Sequence, residues 1–307
     1  MINMISMSGG KDSTATMLVA IDRGAENIEA LFCDTGNEHA VTYDHVGYLE
    51  QALGIPIKRI RQDFSKWWWH RRGFIAGHWV DRGVDEQVVE ATLAFFDTGP
   101  TGNPFLDLCI IKGRFPSRKA QFCTQFLKTE PATGYQLERM EATKDSLTSW
   151  QGVRADESPG RAKLPERESV GGGMHNYRPI LSWNVEQVFE IHRRFGIKPN
   201  PLYLQGMSRV GCMPCINAKK DEVLEISKRF PEHIDRIAEW ELLVGKASKR
   251  RNATMFAAPG DNETAYERGN IRQAVQWSGT KRGGRLMDMF RVMDEPKQCS
   301  SAYGLCE

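Results

Sequence analysis

Ser8-Gly9-Gly10-Lys11-Asp12-Ser13-Thr14 is the stretch that decides how this chain folds. It follows a short apolar strand, Met1 to Met7, and opens a helix that continues through Met17, Leu18, Val19 and Ile21. Adjacent glycines let the backbone turn sharply and approach a ligand closely. The hydroxyls of Ser8, Ser13 and Thr14 and the unpaired N–H groups of the new helix then face one spot, and Lys11 adds a full charge. A helix N-terminus carries spare donors and about half a positive charge, so that spot suits a phosphate. An ordinary serine-capped turn needs neither the paired glycines nor the lysine. The spacing is not that of a Walker A loop, GxxxxGK[ST].

Working outward, Ile28 to Cys33 reads as a second strand that ends in the polar run Asp34-Thr35-Gly36-Asn37-Glu38. A helix through Tyr43 to Leu53 and a third strand, Pro56 to Ile60, follow. Strand and helix alternating over short loops predict a parallel sheet flanked by helices, an α/β fold. Such sheets bind ligands beyond the carboxyl ends of their strands, where both the Ser8 loop and Asp34 fall. Residues 64–113 read as a helical insertion, with Trp67-Trp68-Trp69-His70-Arg71-Arg72 at its start. That cluster suits core packing with a charged rim, or base stacking. Cys109 sits in an apolar run and is expected to be buried and inert. A helix is expected from Ser117 through Cys123 to Lys128, ending near Pro131, and a strand from Ser146 to Val153. The loop Arg154 to Arg167 and glycines 171 to 173 precede a helix over Val185 to Phe195. Asp221 to Val244 reads as helical, broken or kinked at Pro231.

The chain has 307 residues and a net charge of +2, so total charge implies no polyanionic partner. No apolar run reaches the roughly 18 residues of a membrane span, and the N-terminus enters a strand without a signal-peptide pattern. The expected setting is cytoplasmic, with no membrane partner. There, seven cysteines are expected to be ligands, nucleophiles or core residues rather than a disulfide framework. Basic residues gather late, at Lys246, Lys249, Arg250 and Arg251, then Arg268, Arg272, Lys281, Arg282 and Arg285. They suit a solvated face or a nucleic-acid backbone.

Beyond the opening loop, four ordered motifs stand out. Gly152 to Arg161 reads G-x-R-x-x-E-S-x-x-R; Tyr177-Arg178-Pro179-Ile180 is followed by Trp183; Asn200-Pro201-Leu202-Tyr203 is followed by Gly206; and Arg209-Val210-Gly211-Cys212-Met213-Pro214-Cys215 holds a C-x-x-C. An arginine just past a strand end offers a planar fork for phosphate or sulfate oxygens. The opening loop resembles the SGGxDS pyrophosphate loop of the N-type ATP pyrophosphatases (the PP-loop superfamily). The ordered set resembles its phosphoadenosine-phosphosulfate (PAPS) reductase family, over about Met4 to Lys219. The resemblance implies an adenine nucleotide alpha hydrolase-like, Rossmann-like domain over residues 1–219 and a helical, basic C-terminal appendage over 220–307. It implies that ATP or an adenylyl nucleotide is held by Ser8, Gly9, Gly10, Lys11, Asp12, Ser13, Thr14, Asp34, Arg154 and Arg161.

The resemblance also bears on the cysteines. Iron–sulfur members of the family carry a Cys-Cys pair where this chain has Phe122-Cys123, and a C-x-x-C further on. Cys123, Cys212 and Cys215 are then the inherited ligands of a [4Fe-4S] cluster, with an open iron or with Cys306 or Cys299 as the fourth ligand. A Zn2+ site of Cys212, Cys215, Cys299 and Cys306 is chemically sound too. Family reductases carry a catalytic cysteine near the C-terminus in an E-C-G-[IL]-H context; Gly304-Leu305-Cys306-Glu307 has similar residues in another order, so Cys306 stands as nucleophile, ligand or tail residue. The catalytic candidates are Lys11, Arg154, Cys123 and Cys306.

Two activities remain open, with a non-catalytic nucleotide-binding protein as a third reading. In the first, ATP with Mg2+ is split at its α-phosphate and sulfur from a donor displaces the adenylate, with Lys11 and Arg154 stabilising the charge. In the second, a cysteine thiolate reduces adenylyl sulfate or PAPS and a thiol reductant such as thioredoxin releases sulfite. The intact loop, Phe122 in place of a cysteine and the altered tail favour the first.

Overall fold

The computed structural model describes residues 1–256 and 269–280. The first half alternates as expected: β1 (Ile2–Met7), α1 (Lys11–Asp22), β2 (Ile28–Asp34), α2 (Ala40–Leu53) and β3 (Ile57–Arg61). Three helices then follow without a strand, α3 (Ser65–His78), α4 (Glu86–Phe96) and α5 (Pro104–Lys112). A short α6 (Phe122–Thr124) runs through a π-helical turn, Gln125–Thr129, into α7 (Glu130–Thr143). β4 (Leu147–Trp150), β5 (Arg167–Gly171) and β6 (Met174–Tyr177) complete the sheet. Then come α8 (Val185–Arg194), α9 (Pro201–Leu204), α10 (Lys220–Arg229), α11 (Pro231–Lys246) and α12 (Ile271–Ser278).

The sheet order is β3-β2-β1-β4-β6-β5, parallel throughout except for β5, which runs antiparallel to β6. The chain winds from β1 outward to β3, then returns to β4 on the other side of β1. The carboxyl ends of β1 and β4 therefore flank a switch point, the usual ligand crevice of such sheets. Side chains alternate between the faces. Ile5, Met7, Phe32 and Trp150 pack on one face with α1, α2 and α8. Ile2, Met4, Leu31 and Leu147 pack on the other, where Ala132, Tyr135 and Met140 of α7 cover them.

A third core joins the helices of 64–113 to the C-terminal helices: Phe105 and Leu108 of α5 pack with Ile237, Trp240 and Val244 of α11. Insertion and appendage thus share one apolar interior.

Several sequence expectations shift. The helix near Cys123 begins at Phe122 rather than Ser117, and Pro131 opens α7 instead of ending a helix. Proline is tolerated in a first helical turn, where its missing N–H is not needed. Pro231 likewise opens α11, separating it from α10. The β5–β6 hairpin across the three glycines was not foreseen, because β5 is exposed along its whole length and carries no buried alternation. Trp68 is fully buried and its indole N–H donates to the Phe96 carbonyl, while Trp67 and Trp69 stay 40 % and 48 % exposed. Cys109 is fully buried, as expected.

Candidate functional site

The Ser8–Thr14 turn is shaped before any ligand arrives. Ser13 Oγ accepts from the Ser8 N–H at 3.1 Å and donates to the Gly10 carbonyl at 3.0 Å. Thr14 Oγ1 donates to the same carbonyl at 3.1 Å. Gly9 has φ +71°, and a Cβ there would come within 3.0 Å of the Thr42 side chain, so both backbone conformation and space call for glycine. From across the chain, Asn200 Nδ2 donates to the Gly9 carbonyl at 3.1 Å. The Tyr203 hydroxyl accepts from the Lys11 N–H at 3.0 Å, and His192 Nε2 lies 3.0 Å from the Lys11 carbonyl. The Asn200-Pro201-Leu202-Tyr203 motif is therefore a clamp on the turn. In the first turn of α1, the N–H groups of Asp12 and Ser13 have no partner among the described residues.

The charged groups are interlocked. Asp12 accepts from Lys11 Nζ at 2.8 Å through Oδ2 and from Arg154 Nε at 2.6 Å through Oδ1. Arg154 also pairs with Asp156, and its side chain is only 5 % exposed. Burial works against the Arg154 charge, but Asp12 and Asp156 outweigh it and raise its pKa. Gly152 makes this approach feasible: a Cβ there would lie 2.8 Å from the Asp12 carbonyl oxygen and 2.9 Å from the Ser13 nitrogen.

Arg161 and Asp34 stand apart from this set. Arg161 is exposed and pairs with Glu157, whose carboxylate also accepts from the Arg154 N–H, so it braces the loop from outside. Asp34 binds the Tyr43 hydroxyl at 2.7 Å and Arg61 at 2.6 Å. Neither residue lines the cavity beside the turn.

That cavity holds about 170 Å³ and is lined by Ser8, Phe32, Cys33, Glu38, Lys128 and Gly211, among others. It joins the turn to the thiol loop. Cys212 Sγ is 3.4 Å from Thr35 Oγ1 and 3.6 Å from Glu38 Oε1, and burial pushes its pKa up to about 12. Cys33 donates to the Lys128 carbonyl, and burial pushes its pKa up to about 11. The pKa of Cys123 is also raised, first by burial and then by Cys215. The Lys128 pKa is raised, through Cys212 first, in its thiolate form, and then, against burial, through Glu38. Because Cys212 stays a thiol near neutrality, Glu38 supplies the counter-charge there. Arg236 of α11 braces the thiol loop: its Nη2 donates to the Met213 carbonyl at 2.8 Å and to Asn37 Oδ1 at 3.0 Å.

Sequence reasoning missed Cys33, Glu38, Lys128 and Arg236 as site residues. Lys128 carried a signal in its place shortly after Cys123, and Glu38 in the polar run at the end of the second strand. Cys299 and Cys306 lie outside the described residues, as do Arg268, Lys281, Arg282 and Arg285.

The zinc set Cys212, Cys215, Cys299 and Cys306 has two members outside the described residues. A single tetrahedral zinc holds its thiolates roughly 3.8 Å apart. Cys123, Cys212 and Cys215 are not a set within 4.8 Å of one another. They do share a neighbourhood, since Cys215 acts electrostatically on both of the others. Among the described residues, His39, Glu232 and His233 do meet within 4.8 Å. But His39 Nδ1 accepts from the Val41 N–H, which leaves Nε2 protonated in the neutral ring, and Arg236 sits 2.8 Å from His233 Nδ1. That trio does not suit a cation.

Among the described residues, no helix is long and apolar enough to cross a membrane. The chain is 43 % identical over 325 aligned positions to an uncharacterized 37.8 kDa protein of Escherichia phage 186, covering 100 % of this chain and 97 % of that one. It is 33 % identical to an adenosine 5′-phosphosulfate reductase of Neisseria meningitidis, over 70 % of this chain and 71 % of the relative. A solved phosphoadenylyl-sulfate reductase from Candida auris aligns with a TM-score of 0.42 and 16 % identity, over 68 % of this chain and 80 % of that one. The family model for the phosphoadenosine phosphosulfate reductase domain matches residues 2–78 and 110–218, leaving 79–109 and everything from 219 onward outside it. With most of the chain matched and the turn, the arginine loop and the C-x-x-C in their ordered places, this protein belongs to the phosphoadenosine phosphosulfate reductase domain family.

Proposed function

We propose that this chain binds an adenylyl nucleotide at the Ser8–Thr14 turn and reduces the sulfur attached to it, as an adenylyl-sulfate or phosphoadenylyl-sulfate reductase. The observation that carries the reading is the shared cavity, with Ser8 on one wall and Lys128, Glu38 and the residue beside Cys212 on the other. The relatives named as reductases support the same chemistry.

In this reading the α-phosphate sits at the turn, against the start of α1. Lys128 faces the sulfate and stabilises negative charge as the S–O bond to phosphorus breaks. A cysteine thiolate attacks the sulfate sulfur, and AMP or its 3′-phosphate leaves with the electron pair. The S-sulfonate that results is released as sulfite when a thiol of a reductant such as thioredoxin attacks the cysteine sulfur. The two sulfurs then form a disulfide, so the reductant supplies the electrons. Burial keeps Cys33 protonated near neutrality, so it is not a ready nucleophile, and Cys123, Cys212 and Cys215 are taken as cluster ligands. Cys306, at the place of the family's C-terminal catalytic cysteine, is then the attacking thiolate. Cys123, Cys212 and Cys215 would hold a [4Fe-4S] cluster, which would supply local charge and an iron open to sulfide.

A second reading is favoured by the intact loop. Lys11, Ser13 and the arginine loop are all present beside the turn, and in this reading ATP with Mg2+ would be split to AMP and pyrophosphate during sulfur transfer. Incubating anaerobically purified protein separately with adenylyl sulfate or PAPS plus reduced thioredoxin, and with ATP, separates the two. Sulfite release supports the reductase. Pyrophosphate release from ATP without sulfite from either sulfate nucleotide overturns it in favour of the second reading.

A further inference from the structure

The tryptophan–arginine run at 67–72 and the basic run at 246–251 lie far apart in sequence. The structure brings them to two adjoining concavities that together form a groove. Trp67, His70 and Arg71 come from α3, Lys112 and Arg114 from the end of α5 and the turn after it, and Lys249 and Arg250 from the turn after α11. Two concavities of about 420 Å³ and 280 Å³ share Arg71 and Lys112, and among the described residues no carboxylate lines either of them. The Lys249–Arg250 wall lies outside the family match.

Three features separate this groove from an ordinary solvated basic face. Among the described residues, none of Arg71, Lys112, Arg114, Lys249 and Arg250 has a carboxylate within ion-pair distance. The Arg71 Nε is buried without a hydrogen-bond partner. Burial, with Arg114 and Arg71 adding to it, lowers the Lys112 pKa, and Glu130 offsets this only in part, so these cations are held together against their repulsion. An anion in the groove would relieve that repulsion. An aromatic surface accompanies the charge: Lys112 Nζ lies 5.6 Å from the centroid of the half-exposed Trp67 ring and 4.6 Å from that of Phe126.

We infer that this groove binds a single-stranded nucleic acid, with backbone phosphates along Arg71, Lys112, Arg114, Lys249 and Arg250 and a base stacked on Trp67. Unpaired cations in a concave track beside an exposed ring are what a single strand needs, since every base has a face to stack. A duplex hides those faces. Because Phe126 and Phe122 beneath Lys112 and Arg114 flank Cys123 in sequence, a strand held here runs beside the helical turn that carries that thiol.

The test is fluorescence anisotropy of the full chain with a labelled single-stranded DNA or RNA of ~20 nucleotides, titrated between roughly 50 and 200 mM salt. The parent should bind more weakly as salt rises. Lys249→Gln with Arg250→Gln, both exposed, should weaken binding on the order of 10-fold and lower the log–log salt slope by about 1.4, or ~0.7 per lost contact. Trp67→Ala should weaken binding on the order of 10-fold with the slope unchanged. ATP affinity should stay at the parent value in both variants, which reports intact folding separately from the groove. The inference is overturned if the parent does not bind at low salt, if the variants bind like the parent, if a duplex binds more tightly than the single strand, or if millimolar inorganic phosphate displaces the strand while chloride of the same ionic strength does not.

Discussion

Arg154 Nε donates to Asp12 Oδ1 at 2.6 Å, linking residues 142 positions apart and tying the loop after β4 to the first turn of α1. Asp12 holds Lys11 from its other oxygen. The nucleotide turn and the arginine loop are therefore one unit, set at the sheet's switch point, and a substitution in either is felt in both.

Gly152→Ala tests that unity most simply. Its Cβ would meet the Asp12 and Ser13 backbone at 2.8–2.9 Å, and the backbone cannot swing aside as a flexible side chain would. The variant should lose roughly 1–3 kcal/mol of stability and bind ATP or adenylyl sulfate at least several-fold more weakly. Urea unfolding and calorimetric titration measure the two effects; a variant equal to the parent in both means the loops are not coupled.

Arg154→Lys should fail to substitute. The arginine reaches Asp12 through Nε and Asp156 through Nη1, a fork that an ammonium does not reproduce. A loss of about 1–3 kcal/mol and a nucleotide affinity no better than that of Arg154→Gln are expected. Recovery of parent affinity by lysine would show that only the charge is used.

Ser13→Ala removes the hydroxyl that accepts from Ser8 and donates to Gly10. Nucleotide affinity should fall on the order of 10-fold while stability drops by only about 1 kcal/mol. Unchanged affinity would place the phosphate elsewhere.

Stability should depend on pH through His45. Burial, with a smaller effect from His192, lowers its pKa from 6.5 to about 4. The unfolded chain takes up this proton first, so the contribution is complete above the unfolded value and is lost as pH falls from 6.5 to about 4. At about 1.36 kcal/mol per pH unit the loss is at most ~3 kcal/mol. Melting curves between these limits should show the fall, and His45→Leu should make it shallower, with His233, likewise lowered to about 4 by burial, keeping its own share. An equally steep fall in the variant would assign the effect to other groups.

Much of this architecture was legible because it is local. The Ser8 turn announces itself through adjacent glycines and hydroxyls, and α8 through its apolar period. The motif order located Gly152, Arg154 and Tyr203, although their roles as spacer, anchor and clamp appear only when distant segments meet. Asp34 was read as a ligand residue from its place at a strand end, but Tyr43 and Arg61 occupy its carboxylate, and its neighbour Cys33 lines the cavity instead. Lys128, Glu38 and Arg236 converge from three separate helices and loops, and no spacing rule links them. The basic groove is the clearest example: each run was open to a nucleic-acid reading or to a plain packing or solvated-face reading, and only the packing of the helices that carry them brings the two together.

The most direct measurement is a structure of the protein with adenylyl sulfate bound. The account predicts the α-phosphate within hydrogen-bond reach of Ser8 and the first turn of α1, and the sulfate turned toward Lys128 and the loop of Cys212. A nucleotide seated elsewhere, or one whose sulfate points away from Lys128 and the thiols, would contradict it.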